Sequence, residues 1–137
     1  VVRITNYQSG RRFEYRVRDL FKEHGFQAKR KASSSPYDIL VLKEGKSQFV
    51  VDAKHTSQRD KEYIYISRGD VEKIVEIARE LNCTPLVCYG FYRTPIYAEF
   101  GEKLLKENDG KNIRLEEGEK LKRFLNMFGK RESSTQT

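Results

Sequence analysis

Ser35-Pro36-Tyr37-Asp38-Ile39-Leu40-Val41-Leu42 is followed, after the polar turn Lys43-Glu44-Gly45-Lys46-Ser47, by Phe49-Val50-Val51-Asp52-Ala53-Lys54. Both apolar runs read as strands, the first opened by an acid and the second closed by an acid and a lysine. Side chains at i and i+2 of a strand share a face, so Asp52 and Lys54 project together while Phe49, Val51 and Ala53 project to the other side. With the turn closing the two runs into a hairpin, Asp38 comes beside Asp52. Two carboxylates and an ammonium then converge, a set suited to Mg²⁺ and a phosphodiester. On an ordinary surface strand such charges would be a solvated pair of little consequence. Here they cap runs whose apolar content places them in a sheet covered on both faces, where an uncompensated acid is costly. Such costs are accepted at functional sites.

Upstream, Phe13, Val17, Leu20 and Phe21 recur at the spacing of an amphipathic helix over residues 11–24, stopped by Gly25. Glu14 flanks that stripe, so it can reach a neighbouring strand end, although on spacing alone it is one more charge on a basic helix. Arg11, Arg12 and Arg16 lie on the remaining face and together suit phosphate. A short strand over residues 26–30 leads into the polar loop Lys31-Ala32-Ser33-Ser34-Ser35-Pro36, which delivers Asp38 to its strand. Downstream, residues 63–66 read as a strand and Ser67 as the cap of a second helix, with Asp70 at N3 and an apolar stripe of Val71, Ile74, Val75, Ala78 and Leu81. Residues 85–90 read as a buried strand, 96–98 as a strand, 99–106 as a helix and 108–112 as a turn. Leu121, Phe124, Leu125 and Phe128 recur at helical spacing and suit either the core or a second subunit, and the candidates for a subunit interface are Phe91, Leu121, Phe124 and Phe128. His55 is expected to face solvent, and Tyr63 and Tyr65 to be strand residues rather than stacking platforms.

At 137 residues the chain is one domain's length, read as a single nuclease domain over 1–129 and a polar, disordered tail over 130–137. With 27 Lys+Arg against 20 Asp+Glu, net +7, it favours a polyanionic partner. No apolar run is long enough to span a bilayer and the start lacks signal-peptide architecture, so an intracellular, cytoplasmic protein with no membrane partner is expected. Cys83 and Cys88 lack histidines at ligand spacing and read as bystander thiols.

Taken as a set, Gly10-Arg11-Arg12-Phe13-Glu14, Gly25-Phe26, Arg30 before the serine loop, Pro36-Tyr37-Asp38-Ile39, Val51-Asp52-Ala53-Lys54 and Ile64-Tyr65-Ile66-Ser67 resemble the archaeal-type Holliday junction resolvases of the PD-(D/E)xK nuclease superfamily over roughly residues 9–100. The resemblance implies an α/β, restriction-endonuclease-like fold, a mixed central sheet flanked by helices. It implies an endodeoxyribonuclease that resolves four-way DNA junctions by paired symmetric nicks, acting as a homodimer without a small-molecule substrate. Glu14, Asp38 and Asp52 would be the acidic metal-site residues, with the Ala53 carbonyl beside them, and Lys54 the catalytic lysine. The metal would be Mg²⁺, with Mn²⁺ as a substitute. Ser33, Ser34 and Ser35 would lie near the scissile phosphate, with Arg11, Arg12, Arg30 and Lys31 on the DNA backbone. Asp52 stands where the family usually has Glu, and Asp70 where a Gln is common near the start of the second helix. Two rival readings remain: a general or sequence-specific endonuclease on linear duplex, and a module that binds branched DNA without cutting it.

Overall fold

A computed structural model describes residues 6–135. The chain runs α1 (Asn6–Glu23), β1 (Gln27–Arg30), β2 (Ile39–Lys43), β3 (Lys46–His55), β4 (Ile64–Ser67), α2 (Arg68–Glu80), β5 (Thr84–Gly90), β6 (Tyr97–Phe100), α3 (Gly101–Glu107), β7 (Asn112–Leu115) and α4 (Leu121–Thr135). Five strands form one mixed sheet in the order β1-β2-β3-β5-β6, parallel only between β3 and β5. β4 and β7 make a separate antiparallel ribbon.

The expected hairpin is β2–β3. Its turn residues Glu44 and Gly45 take φ of 53° and 78°, the left-handed pair whose twist matches a two-residue hairpin. Ile39 faces Val51 across it, and the Asp38 N–H donates to the Val51 carbonyl at 2.9 Å. That register brings Asp38 opposite Asp52.

Alternation along β3 divides the core. Phe49 and Val51 pack with Phe13, Val17 and Phe21 of α1 and with Leu121 and Leu125 of α4. Val50 packs on the other face with Val71, Ile74 and Ala78 of α2 and with Ile66, Ile113 and Leu115 of the ribbon. Asp52 and Lys54 share the parity of Val50 and therefore open toward α2.

Ser67 caps α2 as expected, its Oγ accepting from the Asp70 N–H at 3.1 Å. Ser67→Ala is expected to lower stability by about 1 kcal/mol, read as an earlier urea midpoint at unchanged slope.

Several expectations change. Phe91 and Leu121, considered for a subunit interface, are buried in the core, because Phe91 packs with Tyr89 and Tyr97 and Leu121 lies under α1 and the sheet. Leu81 is an exposed C-cap rather than part of the buried stripe. β7 begins at Asn112, the last residue of the expected turn, and continues to Leu115. The backbone of α4 is helical to Thr135, across most of the segment read as a disordered tail, and residues 136–137 lie outside the described ones. No helix among the described residues is long and apolar enough to cross a membrane.

Candidate active site

The site forms where β2 begins and β3 outruns it. Beyond Val51 the Ala53 N–H has no β2 backbone opposite, and the Asp38 carboxylate takes that place, accepting from it at 2.7 Å through Oδ2. Asp38 is thus fixed by the edge of the neighbouring strand. Its backbone also closes the serine loop, since the Asp38 carbonyl accepts from the Lys31 N–H at 2.8 Å. Ser33 and Ser34 are exposed and Ser35 is half-buried, its Oγ accepting from the Tyr37 N–H. The loop of Lys31 and the serines therefore hangs directly from the acid.

Asp52 is the one buried charged side chain in the core of the described residues, 5% exposed. Its Oδ1 is buried without a hydrogen-bond partner; Lys54 Nζ stands 3.6 Å away, near enough for ion pairing only. Burial drives the Asp52 carboxyl up to about 7, with Lys54 opposing and Asp38 and Asp70 adding to the rise. Burial also raises Asp38, against the favourable Ala53 N–H. For Lys54, burial pulls the ammonium down, but Asp52, Asp70 and Asp38 more than offset it, and its pKa lies above the ordinary lysine value. Lys54 is therefore charged across the neutral range.

Glu14 approaches from α1 and so from the opposite face of the sheet. It pairs with Arg30 at 3.4 Å, and its carboxyl is raised, first by burial and then by Asp38. Arg30 is turned inward, its guanidinium also 5.1 Å from the Tyr15 ring centre. Arg11 and Arg12 are exposed on α1.

The structure thus brings Asp38, Asp52 and Lys54 together on one face and sets Glu14 beside Asp38, with Arg30 between α1 and β1. It adds one residue that was read as a helix-cap element and a departure from the family's common Gln, not as part of the site: Asp70, whose Oδ2 lies 3.4 Å from Lys54 Nζ. The even parity of Lys54, pointing to the helix that Asp70 opens, was the available signal. His55 does not face solvent freely. Sharing the parity of Phe49 and Val51, it is half-buried against α1 and stacks on Phe13 with ring centres 4.8 Å apart. Burial and then Arg16 lower its pKa. Cys88 is fully buried and Cys83 partly so, as free thiols. Tyr63 precedes β4 rather than lying in it, and its ring carries Arg114 at 3.9 Å and Lys61 at 4.8 Å.

Among the described residues no three carboxylate, histidine or thiol side chains make a ready metal cage. What is present is an acid pair: one carboxylate tied by a single backbone N–H, the other buried with an unsatisfied oxygen.

No curated protein matches the chain by sequence. Among solved structures 20 chains match. One is Hjc from Archaeoglobus fulgidus, described as a Holliday junction resolvase from an archaeal hyperthermophile; it is similar at a TM-score of 0.70, with 22% identity, over 86% of this chain and 96% of that one. At that identity the likeness speaks for the fold, the mixed sheet between helices that the strand patterns predict. The family comparison reaches further, matching the archaeal Holliday junction resolvase (Hjc) description over residues 5–133. That span takes in α1 with Glu14, the Asp38–Asp52 hairpin, Lys54 and the helix that meets it, so this chain belongs to the archaeal Holliday junction resolvase (Hjc) family, and its acid pair and lysine sit in a junction-resolving nuclease.

Proposed function

We propose that the chain resolves four-way DNA junctions by paired, symmetric, metal-dependent nicks made at the Asp38–Asp52–Lys54 site. The observation that carries this reading is the orphaned Asp52 Oδ1, a buried acceptor beside a second acid and a lysine. A buried carboxylate oxygen with no hydrogen bond, compensated only by a lysine 3.6 Å away, is unfavourable, and a cation reduces the penalty. Mg²⁺ commonly binds through one or two carboxylates plus waters and substrate phosphates, without a full protein cage. Asp38, Asp52 and the Ala53 carbonyl fit that pattern, and Glu14 extends the acidic set on the Asp38 side. The Ala53 carbonyl leaves β3 by the same edge as the N–H bonded to Asp38, because one residue's two backbone groups point to one neighbour. Mn²⁺ is expected to substitute.

A divalent cation held there would supply Lewis-acid stabilisation at the phosphate and would lower the pKa of a water. The chain's own groups do the rest. Asp38 and Asp52 would hold the cation and orient a water, and the Lys54 ammonium would stabilise the equatorial phosphate oxygens. Arg30 positions Glu14. Lys31, Ser33, Ser34, Ser35, Arg11 and Arg12 receive the DNA backbone, where phosphate contacts set register without reading sequence. Selectivity for branched DNA then comes from its shape and deformability.

Two symmetric nicks suit a two-fold homodimer presenting two sites. With Phe91 and Leu121 inside the core, the surface offered to a second copy is a groove of about 360 Å³ beside Phe124 and Phe128, flanked by the exposed Phe100 and Met127.

The test is cleavage of a labelled immobile junction beside a matched linear duplex, in Mg²⁺ or EDTA. Paired nicks in the junction alone, lost in EDTA, are expected. Equal cutting of the duplex would instead make this a general nuclease, and tight junction binding with no metal-dependent cutting would make it a binding module. Phosphate contact has its own signature: Arg12→Ala and Lys31→Ala are each expected to reduce the slope of log affinity against log salt by about 1, measured by junction titrations from low to moderate salt.

A further inference from the structure

Lys54 is held from two sides. Asp52 Oδ1 stands 3.6 Å from Nζ on β3 itself, and Asp70 Oδ2 stands 3.4 Å away on the first turn of α2. A lysine head group ends a four-carbon stem with several rotatable bonds, and one carboxylate on the same strand restrains it only toward that strand. The second carboxylate comes from a different element whose position is fixed independently. The Asp70 N–H donates to Ser67 Oγ at 3.1 Å, and Val71, the next residue, is fully buried against the sheet. Asp70 also contributes to the field felt by Asp38, Asp52 and Lys54. Yet its side chain is 45% exposed, so burial is not what places it there.

We propose that Asp70 is a positioning residue for cleavage: it tethers the Lys54 ammonium between α2 and β3, so that Nζ meets the phosphate from a fixed direction. The inference rests on the catalytic assignment of Lys54 made above. A carboxylate acting this way touches neither DNA nor cation, and its whole effect passes through Lys54.

The experiment is single-turnover cleavage of a four-way junction in saturating Mg²⁺ by the full chain, comparing native, Asp70→Asn, Asp70→Glu, Lys54→Met and Asp70→Asn/Lys54→Met, with junction Kd and Tm for each. Asp70→Asn is expected to slow cleavage about five- to tenfold at saturating protein, as loss of one half-exposed ion pair would, without weakening junction binding. Asp70→Glu, which keeps the charge, is expected to recover most of the rate. In the Lys54→Met background, itself about a hundredfold slow, Asp70→Asn is expected to have no further effect. A full five- to tenfold loss in that background would overturn the proposal, because Asp70 would then act elsewhere. So would an Asp70→Asn enzyme that cuts at the native rate while Lys54→Met is slow, and that result would leave the role of Lys54 standing. Native cutting by Lys54→Met would remove the catalytic assignment and this inference together.

Discussion

Asp52→Asn is expected to cut a four-way junction about 10³-fold more slowly than the native chain and yet to be the more stable protein at pH 8. The two effects share one cause. The carboxylate lies in a buried position that holds its pKa near 7 rather than the ordinary 3.8, so the native fold keeps the proton more tightly than the unfolded chain does. Protonation therefore favours folding. The contribution of Asp52 to stability is greatest below about pH 4, falls as pH rises toward 7, and levels off above, where the carboxylate is ionised in both states. A shift of that size corresponds to roughly 4 kcal/mol at most, and about half is a reasonable expectation after relaxation and the Lys54 attraction. Asparagine keeps the shape and removes the charge, so the variant should gain about 2 kcal/mol at pH 8, or about 6 °C in Tm, and nothing at pH 4. Thermal melts across that range measure it. Mg²⁺ is expected to raise the Tm of the native chain and leave that of the variant unmoved, since only the native site gains from binding the cation. A variant less stable than native at pH 8 would mean that Asp52 already has a compensating partner in the folded protein.

This opposition between activity and stability explains which parts of the molecule are legible in its sequence. Asp38 and Asp52 announce themselves because each bounds an apolar run, and local parity predicts their shared face with Lys54. The hairpin follows from Glu44-Gly45 between two β-prone segments, and the first helix from the stripe that includes Phe13 and Phe21. What is not legible arises between elements far apart in sequence. Asp70 reads as a capping residue, and its N–H does serve the cap, but its carboxylate turns to a lysine on another element. His55 reads as the first residue of a polar loop, while its parity puts it on Phe13. β7 shows an alternation, Ile113 and Leu115 buried with Asn112 and Arg114 exposed, that is too short to distinguish from a turn. It becomes a strand only because β4 is there to pair with it. The late aromatics are ambiguous for the same reason: helical spacing says they share a face, and only tertiary contact says which surface receives it.

That contact makes Phe49→Ala the substitution with the largest expected effect on folding. Phe49 is 3% exposed and its ring lies 5.7 Å from Phe21, 6.0 Å from Phe26, 5.9 Å from Phe124 and 5.8 Å from Phe128. It joins α1, the connection into β1 and α4 through one side chain. Truncating a buried phenylalanine forfeits its transfer free energy and leaves a cavity, together about 3–5 kcal/mol, which for a domain of this size lowers Tm by more than about 10 °C. Phe124→Ala, removing a ring only partly buried at the edge of the same cluster, is expected to cost about half as much. Catalysis should be spared. Asp52 and Lys54 lie on the opposite face of β3, and the strand between them and Phe49 is paired on both sides, Val50 with Leu40 and Val51 with Leu86. At 20 °C the folded fraction of Phe49→Ala is therefore expected to cut a junction within about threefold of the native rate, with urea and single-turnover measurements made on the same preparation. An equal loss of stability in both variants would show that the rings of α4 carry the cluster. A cleavage rate that collapses while the protein remains folded would show that this aromatic packing sets the geometry of the acids across the sheet.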